Sequence, residues 1–148
     1  MTIERVSLAA ACRLLAEGYD YLDVRSELEF AAGHPPNAYN IPISLVGEAA
    51  LEPNPHFLCV VRNTFQLTHR LLVGCQSGGR SQQAAQRLEA AGFCALVELR
   101  TGFDGCRDAF GRREPGWQRA AKPIEVGDGA HRGYAALLAR TPLQVTPG

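Results

Sequence analysis

The chain has 148 residues, of which 20% are charged and 46% are hydrophobic, and its 15 basic residues are balanced by 15 acidic ones. This length favours one domain with a substantial core. A net charge of zero gives no reason to expect nucleic acid or a membrane surface as a partner. The N-terminus lacks the basic and apolar segments of a secretory signal, and no run of about 18 apolar residues predicts a membrane span.

The cysteines predict a reduced, cytoplasmic protein. There are five, at positions 12, 59, 75, 94 and 106, with no Cys-x-x-Cys pair and no zinc-ligand spacing to histidine. An odd, scattered set of this kind is typical of proteins without disulfides. Cys12, Cys59 and Cys94 fall on predicted apolar faces and are expected in the core. No metal or organic cofactor is implied.

Helical and extended patterns alternate along the chain. Ser7 is placed to cap the first helix, and Ser26 with Glu29 has the spacing of a capping box. The predicted elements are, in order, a helix to about residue 17, a strand over 19–24, a helix over 27–32, a turn over 33–37, an extended segment over 38–43, a loop over 44–54, a helix over 56–65, a strand over 71–74, a helix over 81–91, a strand over 95–99, a loop over 101–105 and a short helix over 134–140. This alternation predicts an α/β fold, with a central parallel sheet of about five strands and helices on both faces.

One polar loop carries the chemistry that the sequence predicts. It begins at Cys75, directly after the apolar strand over 71–74, and ends at Arg80, where a helix is expected to begin. Binding sites in parallel sheets lie at the carboxyl ends of the strands. A helix N-terminus and a nearby arginine both favour an anion, so this position favours a thiolate and an anionic substrate. The loop therefore predicts nucleophilic catalysis by Cys75.

Two motifs resemble those of single-domain rhodanese-like sulfurtransferases. The first comprises Asp23-Val24-Arg25, then Glu29-Phe30, then the segment 33–42, Gly-His-Pro-Pro-Asn-Ala-Tyr-Asn-Ile-Pro. The second is the segment 71–81 around Cys75, and a third, looser similarity lies in the turn over 99–105. The resemblance covers about residues 3–117. It implies a rhodanese-like domain over residues 1–121, followed by a C-terminal tail over 122–148 that is partly ordered or a short helix.

The resemblance implies a thiosulfate sulfurtransferase. In this family a cysteine takes a sulfane sulfur from a donor such as thiosulfate, becomes a persulfide, and passes the sulfur to cyanide, a thiol or a protein acceptor. Cys75 and Arg80 would be the catalytic residues. The substrate-binding positions would be Gln76, Ser77, Gly78, Gly79 and Ser81. Asp23 and Arg25 are expected to support the loop through hydrogen bonds, and Cys106 is the other thiol near its rim.

Two alternatives stay open beside the sulfurtransferase. The chain would serve as a non-catalytic persulfide carrier or binding module if it held sulfur for one partner protein and turned over poorly with small molecules. A phosphatase or arsenate reductase is the other alternative. Related phosphatases use Cys-x5-Arg, whereas four residues separate Cys75 from Arg80 here. The shorter ring is expected to fit a single sulfur atom better than a tetrahedral phosphate.

Overall fold

The computed structural model describes residues 3–47 and 49–143. The helices are α1 (Leu8–Ala16), α2 (Glu27–Ala32), α3 (Phe57–Thr64), α4 (Gly79–Ala90) and α5 (Tyr134–Ala139), with a 3₁₀ turn at Ala130–Arg132. The strands are β1 (Glu4–Val6), β2 (Asp20–Asp23), β3 (Tyr39–Asn40), β4 (Ser44–Val46), β5 (Leu51–Pro53), β6 (Leu71–Gly74), β7 (Leu96–Leu99), β8 (Gly105–Arg107) and β9 (Arg113–Pro115).

Five strands form a parallel sheet in the order β1-β7-β6-β2-β3, which confirms the predicted fold class. All four residues of β6 are buried, as expected for a central strand covered on both faces. Alternate residues of β6 enter different clusters: Leu71 and Val73 pack with α3, α4 and α5, whereas Leu72 packs with α1 and α2. The helices therefore cover both faces of the sheet.

The capping signals predicted at the starts of α1 and α2 are confirmed. Ser7 accepts a hydrogen bond from the Ala10 amide at the start of α1. Ser26 and Glu29 form the complete capping box at the start of α2. Both caps directly precede their helices and satisfy amides of the first turn that have no partner within the helix.

Two hairpins and the edge strand β1 were not predicted from the sequence. The segment 44–54 forms the antiparallel pair β4–β5 rather than a loop, closed by a hydrogen bond from the Gly47 amide to the Ala50 carbonyl at 2.9 Å. The pair β8–β9 follows β7 in the same way. Each strand has three residues, and no strand of the two hairpins is buried, so the alternation that signals a strand is absent.

The segment 122–143 packs on the rest of the chain. Tyr134 and Leu137 of α5 are buried in the cluster shared with α3 and α4. The Asn54 side-chain amide donates to the Tyr134 hydroxyl at 2.9 Å, and the backbones of His34 and Glu125 exchange hydrogen bonds. The predicted boundary at residue 121 stays a prediction, and residues 144–148 of the predicted tail lie outside the described residues.

The exposure of three cysteines differs from the prediction. Cys59 and Cys94 are exposed and Cys12 is partly exposed, so the prediction that these three lie in the core is wrong. Cys59 is on the outer side of α3. Cys94 lies in the segment before β7, outside any helix or strand, so the apolar pattern there does not determine which side chains are buried.

Within residues 3–47 and 49–143, no helix has the length and apolar character needed to cross a bilayer.

Candidate active site

Cys75 lies where β6 ends, at the carboxyl edge of the central strand. The residue is buried, with 1% of its surface exposed. The Gly78 amide donates to the sulfur at 3.1 Å, and the Ser81 hydroxyl oxygen lies 3.4 Å from it. α4 begins at Gly79, two residues earlier than predicted, so Arg80 and Ser81 both belong to its first turn. The thiol therefore lies at the N-terminus of a 12-residue helix, as the sequence predicted.

The curl of the loop depends on one glycine. Gly78 has a φ of +105°, a region that residues with a Cβ rarely adopt. A Cβ at this position would lie 2.9 Å from the Arg100 carbonyl oxygen. Gly79 has no such constraint, because a Cβ there would meet nothing within 4 Å. The backbone at Gly78 is thus what turns its amide toward the sulfur.

The turn after β7 holds the loop from the other side. The Phe103 amide donates to the Cys75 carbonyl at 2.7 Å, and the Asp104 amide donates to the Gln76 carbonyl at 2.8 Å. This close approach requires Gly102, whose φ is +62° and whose added Cβ would lie 2.6 Å from both carbonyl oxygens. The glycine-containing turn over 101–105 is thus in direct contact with the cysteine loop.

Asp23 and Arg25 form a buried ion pair that supports the loop. The Arg25 guanidinium donates from Nε and Nη2 to Asp23, with the shortest distance at 2.8 Å. It also donates to the Gln76 side-chain oxygen at 3.1 Å and to the Gly33 carbonyl at 2.7 Å. Its carbon Cζ lies 4.3 Å from the centre of the Phe103 ring. Four of the five N–H groups of Arg25 thus donate to protein groups, a geometry that fits the supporting role predicted for it.

Arg80 is turned toward α2. Its Nη1 and Nη2 atoms donate to the two carboxylate oxygens of Glu29, at 2.6 and 2.8 Å. This pairing with Arg80, together with hydrogen bonds from Ser26, lowers the pKa of Glu29 to about 2. Two of the five guanidinium N–H groups are thus used by Glu29.

A chain of polar side chains behind the sulfur was missed by the sequence analysis. The Ser81 hydroxyl lies 2.7 Å from Glu98 Oε1, and Glu98 is 1% exposed on β7. Arg5 of β1 donates from Nε to Glu98 Oε2 at 3.1 Å. The available signal was the single charge in the otherwise apolar strand Leu96–Leu99. A charge that is buried in this way requires a partner.

The predicted site residues divide into three groups. Gly78 and Ser81 contact the Cys75 sulfur directly. Gln76 is held by Arg25. Ser77 and Gly79 are exposed at the loop surface, and Cys106 is partly exposed in β8. Their roles in binding or catalysis stay predictions.

The sequence comparison identifies the family. The model of the rhodanese-like domain matches residues 8–109, so the chain belongs to the rhodanese-like domain family. The chain is 41% identical over 98 residues to thiosulfate sulfurtransferase 16, chloroplastic, from Arabidopsis thaliana; the match covers 66% of this chain and 82% of the relative. It is 37% identical over 98 residues to rhodanese-like domain-containing protein 15, chloroplastic, from the same plant, with 66% and 54% covered. The chain thus spans about half the length of the second relative.

Solved structures agree on the fold. The crystal structure of Rv0390 from M. tuberculosis superposes with a TM-score of 0.70 at 24% identity, covering 86% of this chain and all of that one. At this identity the match concerns the fold alone, and it confirms the rhodanese-like architecture.

The comparison contradicts the predicted cytoplasmic setting. Relatives that match this chain are named as chloroplastic proteins, and another from Arabidopsis thaliana is named as mitochondrial. The prediction was therefore wrong. It relied on free cysteines, which report a reducing environment and do not distinguish the cytoplasm from other reducing compartments.

Proposed function

We propose that the chain is a sulfurtransferase that moves a sulfane sulfur from thiosulfate, or a donor of the same chemistry, to a thiophilic acceptor through a persulfide on Cys75. The observation that carries this proposal is the 3.1 Å hydrogen bond from the Gly78 amide to the Cys75 sulfur at the N-terminus of α4. A backbone donor fixed at this point stabilises negative charge on sulfur. The name of the 41% identical relative supports thiosulfate as the donor.

The first half-reaction loads the cysteine. The Cys75 thiolate attacks the outer, sulfane sulfur of thiosulfate, and a new S–S bond forms as the bond between the two donor sulfurs breaks. Sulfite leaves with the electron pair of the broken bond. The Gly78 amide contacts the attacking sulfur of Cys75 and stabilises its negative charge before attack, and in the persulfide that charge lies on the outer sulfur.

The second half-reaction unloads it. Cyanide or a thiolate attacks the outer sulfur of the persulfide, and the S–S bond to Cys75 breaks so that its sulfur leaves as a thiolate. The products are thiocyanate or an acceptor persulfide. Because sulfite leaves before the acceptor reacts, this is a double-displacement reaction that needs no cofactor or external oxidant.

Arg80 is proposed to bind the anionic part of the donor. Its guanidinium is 25% exposed and is held by Glu29, with N–H groups left over to receive an oxyanion. Ser77 and Gly79 are exposed on the loop that covers the buried sulfur. These small residues leave room for a donor to approach, while the six-residue loop offers a ring suited to one sulfur atom.

The test is the intact mass of the protein after incubation with thiosulfate, followed by cyanide. The wild type is expected to gain one sulfur atom that maps to Cys75 and is lost to cyanide, and Cys75→Ser is expected to gain none there. The exposed thiols Cys59 and Cys94 require a control. A variant that keeps Cys75 and has serine at positions 12, 59, 94 and 106 is expected to load like the wild type.

Each outcome decides between the candidate functions. Loading followed by rapid thiocyanate release supports the enzyme. If Cys75 is loaded with sulfur but cyanide and small thiols remove that sulfur only slowly, the result would favour a persulfide carrier over an enzyme. Sulfur transfer by Cys75→Ser at the wild-type rate would overturn the proposal, and cleavage of an aryl phosphate that depends on Cys75 would revive the phosphatase.

A further inference from the structure

The Ser81 hydroxyl has one proton and three neighbours that compete for it. The Cys75 sulfur lies at 3.4 Å, the Gly78 carbonyl oxygen at 3.2 Å and the Glu98 carboxylate oxygen at 2.7 Å. A charged acceptor at the shortest distance forms the strongest hydrogen bond, so the proton points to Glu98. Ser81 then presents a lone pair to the sulfur, which suits a thiol that donates and opposes a thiolate.

Glu98 is held in place by Arg5. The two side chains are joined by Nε–Oε2 at 3.1 Å and by Nη2–Oε1 at 3.4 Å, so both carboxylate oxygens have a cationic donor. Arg5 lies on the edge strand β1 and is partly exposed, whereas Glu98 lies on β7 and is fully buried. The pair gives the Ser81 hydroxyl a fixed acceptor on the side away from the sulfur.

We propose that Glu98 is a positioning residue that sets the direction of the Ser81 hydroxyl and thereby controls how readily Cys75 becomes the reacting thiolate. In the resting protein the Ser81 hydroxyl donates its hydrogen bond to the Glu98 carboxylate. When the sulfur becomes negative, the hydroxyl rotates to donate to it, and Glu98 keeps its bonds to Arg5. Glu98 thus restrains the reactivity of Cys75 before the donor arrives. This inference rests on Cys75 being the nucleophile of the proposed function.

Other charges around the sulfur are already paired or neutral. Burial raises the pKa of Tyr21 well above its usual range, so this neighbour of Cys75 carries no charge. Arg80 interacts electrostatically with Cys75 but is held by Glu29. The titratable and charged groups that surround the cysteine and the chain behind it are Arg5 of β1, Tyr21 and Asp23 of β2, Arg25, Glu29 of α2, Arg80 of α4 and Glu98 of β7. Of these groups, Glu98 is the one that is hydrogen-bonded to Ser81, and Ser81 in turn contacts the sulfur.

Glu98→Gln reverses the competition for the hydroxyl proton. Arg5 has only donors, so it keeps the amide oxygen on its side and leaves the amide NH₂ facing Ser81. Ser81 then accepts that hydrogen bond, and its proton has the Gly78 carbonyl and the Cys75 sulfur left as acceptors. A thiolate is the charged acceptor of these two, so the hydroxyl donates to the sulfur once it is ionised. We expect the pH midpoint of Cys75 alkylation by iodoacetamide to fall by about half to one pH unit, the scale of one typical hydrogen bond.

The experiment is a double-mutant cycle on alkylation of the Cys75 peptide, followed by mass spectrometry over a pH series. The four proteins are the wild type, Glu98→Gln, Ser81→Ala and the double variant. Removing a buried negative charge alone would lower the midpoint equally with or without Ser81. Action through Ser81 instead predicts that Glu98→Gln shifts the midpoint much less in the Ser81→Ala background.

Equal shifts in both backgrounds, or no shift from Glu98→Gln, would overturn the inference. Arg5→Gln is the second variant, which removes the cationic donor that competes with Ser81 for the Glu98 carboxylate; it is expected to raise the midpoint, again only when Ser81 is present. Alkylation does not require sulfur transfer. A protein with the predicted midpoints but no persulfide would therefore refute the proposed function and leave the role of Glu98 intact.

Discussion

Glu29 of α2 and Arg80 of α4 are joined at two points, with Nη1–Oε1 at 2.6 Å and Nη2–Oε2 at 2.8 Å. The pair links the helix that follows β2 to the helix that follows the cysteine loop. Glu29 also completes the capping box of its own helix, so one carboxylate supports both local and long-range structure. The N-terminal motif and the cysteine loop, which lie 51 residues apart in the sequence, are thus in contact in the fold.

The Glu29 ion pair gives stability that depends on pH. The pKa of Glu29 is lowered from an ordinary 4.5 to about 2, so its contribution is complete above about pH 4.5 and is lost as the pH falls toward 2. Glu29→Gln keeps a capping-box side chain and removes the charge. Because a third of this side chain is in solvent, we expect a loss of about 1 kcal/mol in the free energy of unfolding at pH 7.

Urea denaturation of the wild type and Glu29→Gln at several pH values measures this effect. The difference between the two proteins is expected to shrink from pH 5 toward pH 2. A difference that stayed constant over this range would show that the charge of Glu29 contributes nothing.

Arg80 is predicted to act on the donor rather than on the acceptor. Arg80→Ala is expected to weaken the use of thiosulfate by roughly 1–3 kcal/mol in kcat/KM, the scale of a lost charge-assisted hydrogen bond. Arg87→Ala is the matched control, because Arg87 lies two turns further along α4 and is exposed. The rate of thiocyanate formation at varied thiosulfate decides the question, and equal values for the two variants would remove Arg80 from the donor site.

Two adjacent glycines are expected to respond differently to alanine. Gly78→Ala forces a Cβ into a left-handed backbone and to within 2.9 Å of the Arg100 carbonyl, which is expected to cost about 1–3 kcal/mol and to move the amide away from the sulfur. Gly79→Ala meets no neighbour and is expected to be tolerated. Persulfide formation and thermal unfolding of both variants provide the measurement. Similar losses in the two would contradict the role given to the Gly78 backbone.

The buried pair of Asp23 and Arg25 is predicted to be structural. Arg25→Met leaves the Asp23 carboxylate buried without its cation, at an expected cost of about 3–5 kcal/mol in the free energy of unfolding. Arg119→Met breaks the exposed pair with Asp104 and is expected to cost at most about 1 kcal/mol. Chemical denaturation of both variants tests the contrast. An Arg25→Met protein of normal stability that no longer used thiosulfate would assign Arg25 to the substrate instead.

Local patterns predicted the parts of the fold that depend on neighbouring residues. The apolar run 71–74 ends where the polar loop begins, so the position of Cys75 at the end of the central strand followed directly. The start of α4 was placed two residues late, because Gly78 caps it with a left-handed backbone and no side-chain hydrogen bond. Backbone capping of this kind leaves no polar side chain to detect.

The contact between Arg5 and Glu98 could not be predicted from local patterns. Arg5 and Glu98 are 93 residues apart and meet because β1 pairs with β7, and β1 has a single buried residue by which to recognise it. The two hairpins likewise lack a buried face. The hydrogen-bonded side chains of Ser81, Glu98 and Arg5 behind the cysteine could therefore be identified only once the strand order was known.

The hydrogen bond from Gly78 to the cysteine sulfur has a spectroscopic consequence. An amide proton that points at a sulfur atom is deshielded more strongly as that atom gains negative charge, so the Gly78 resonance is expected to follow the state of Cys75. Thiol, thiolate and persulfide would each give this one amide a different chemical shift. Isotope-labelled protein thus contains its own reporter, which would allow loading and discharge of the cysteine to be followed in solution without a chemical probe.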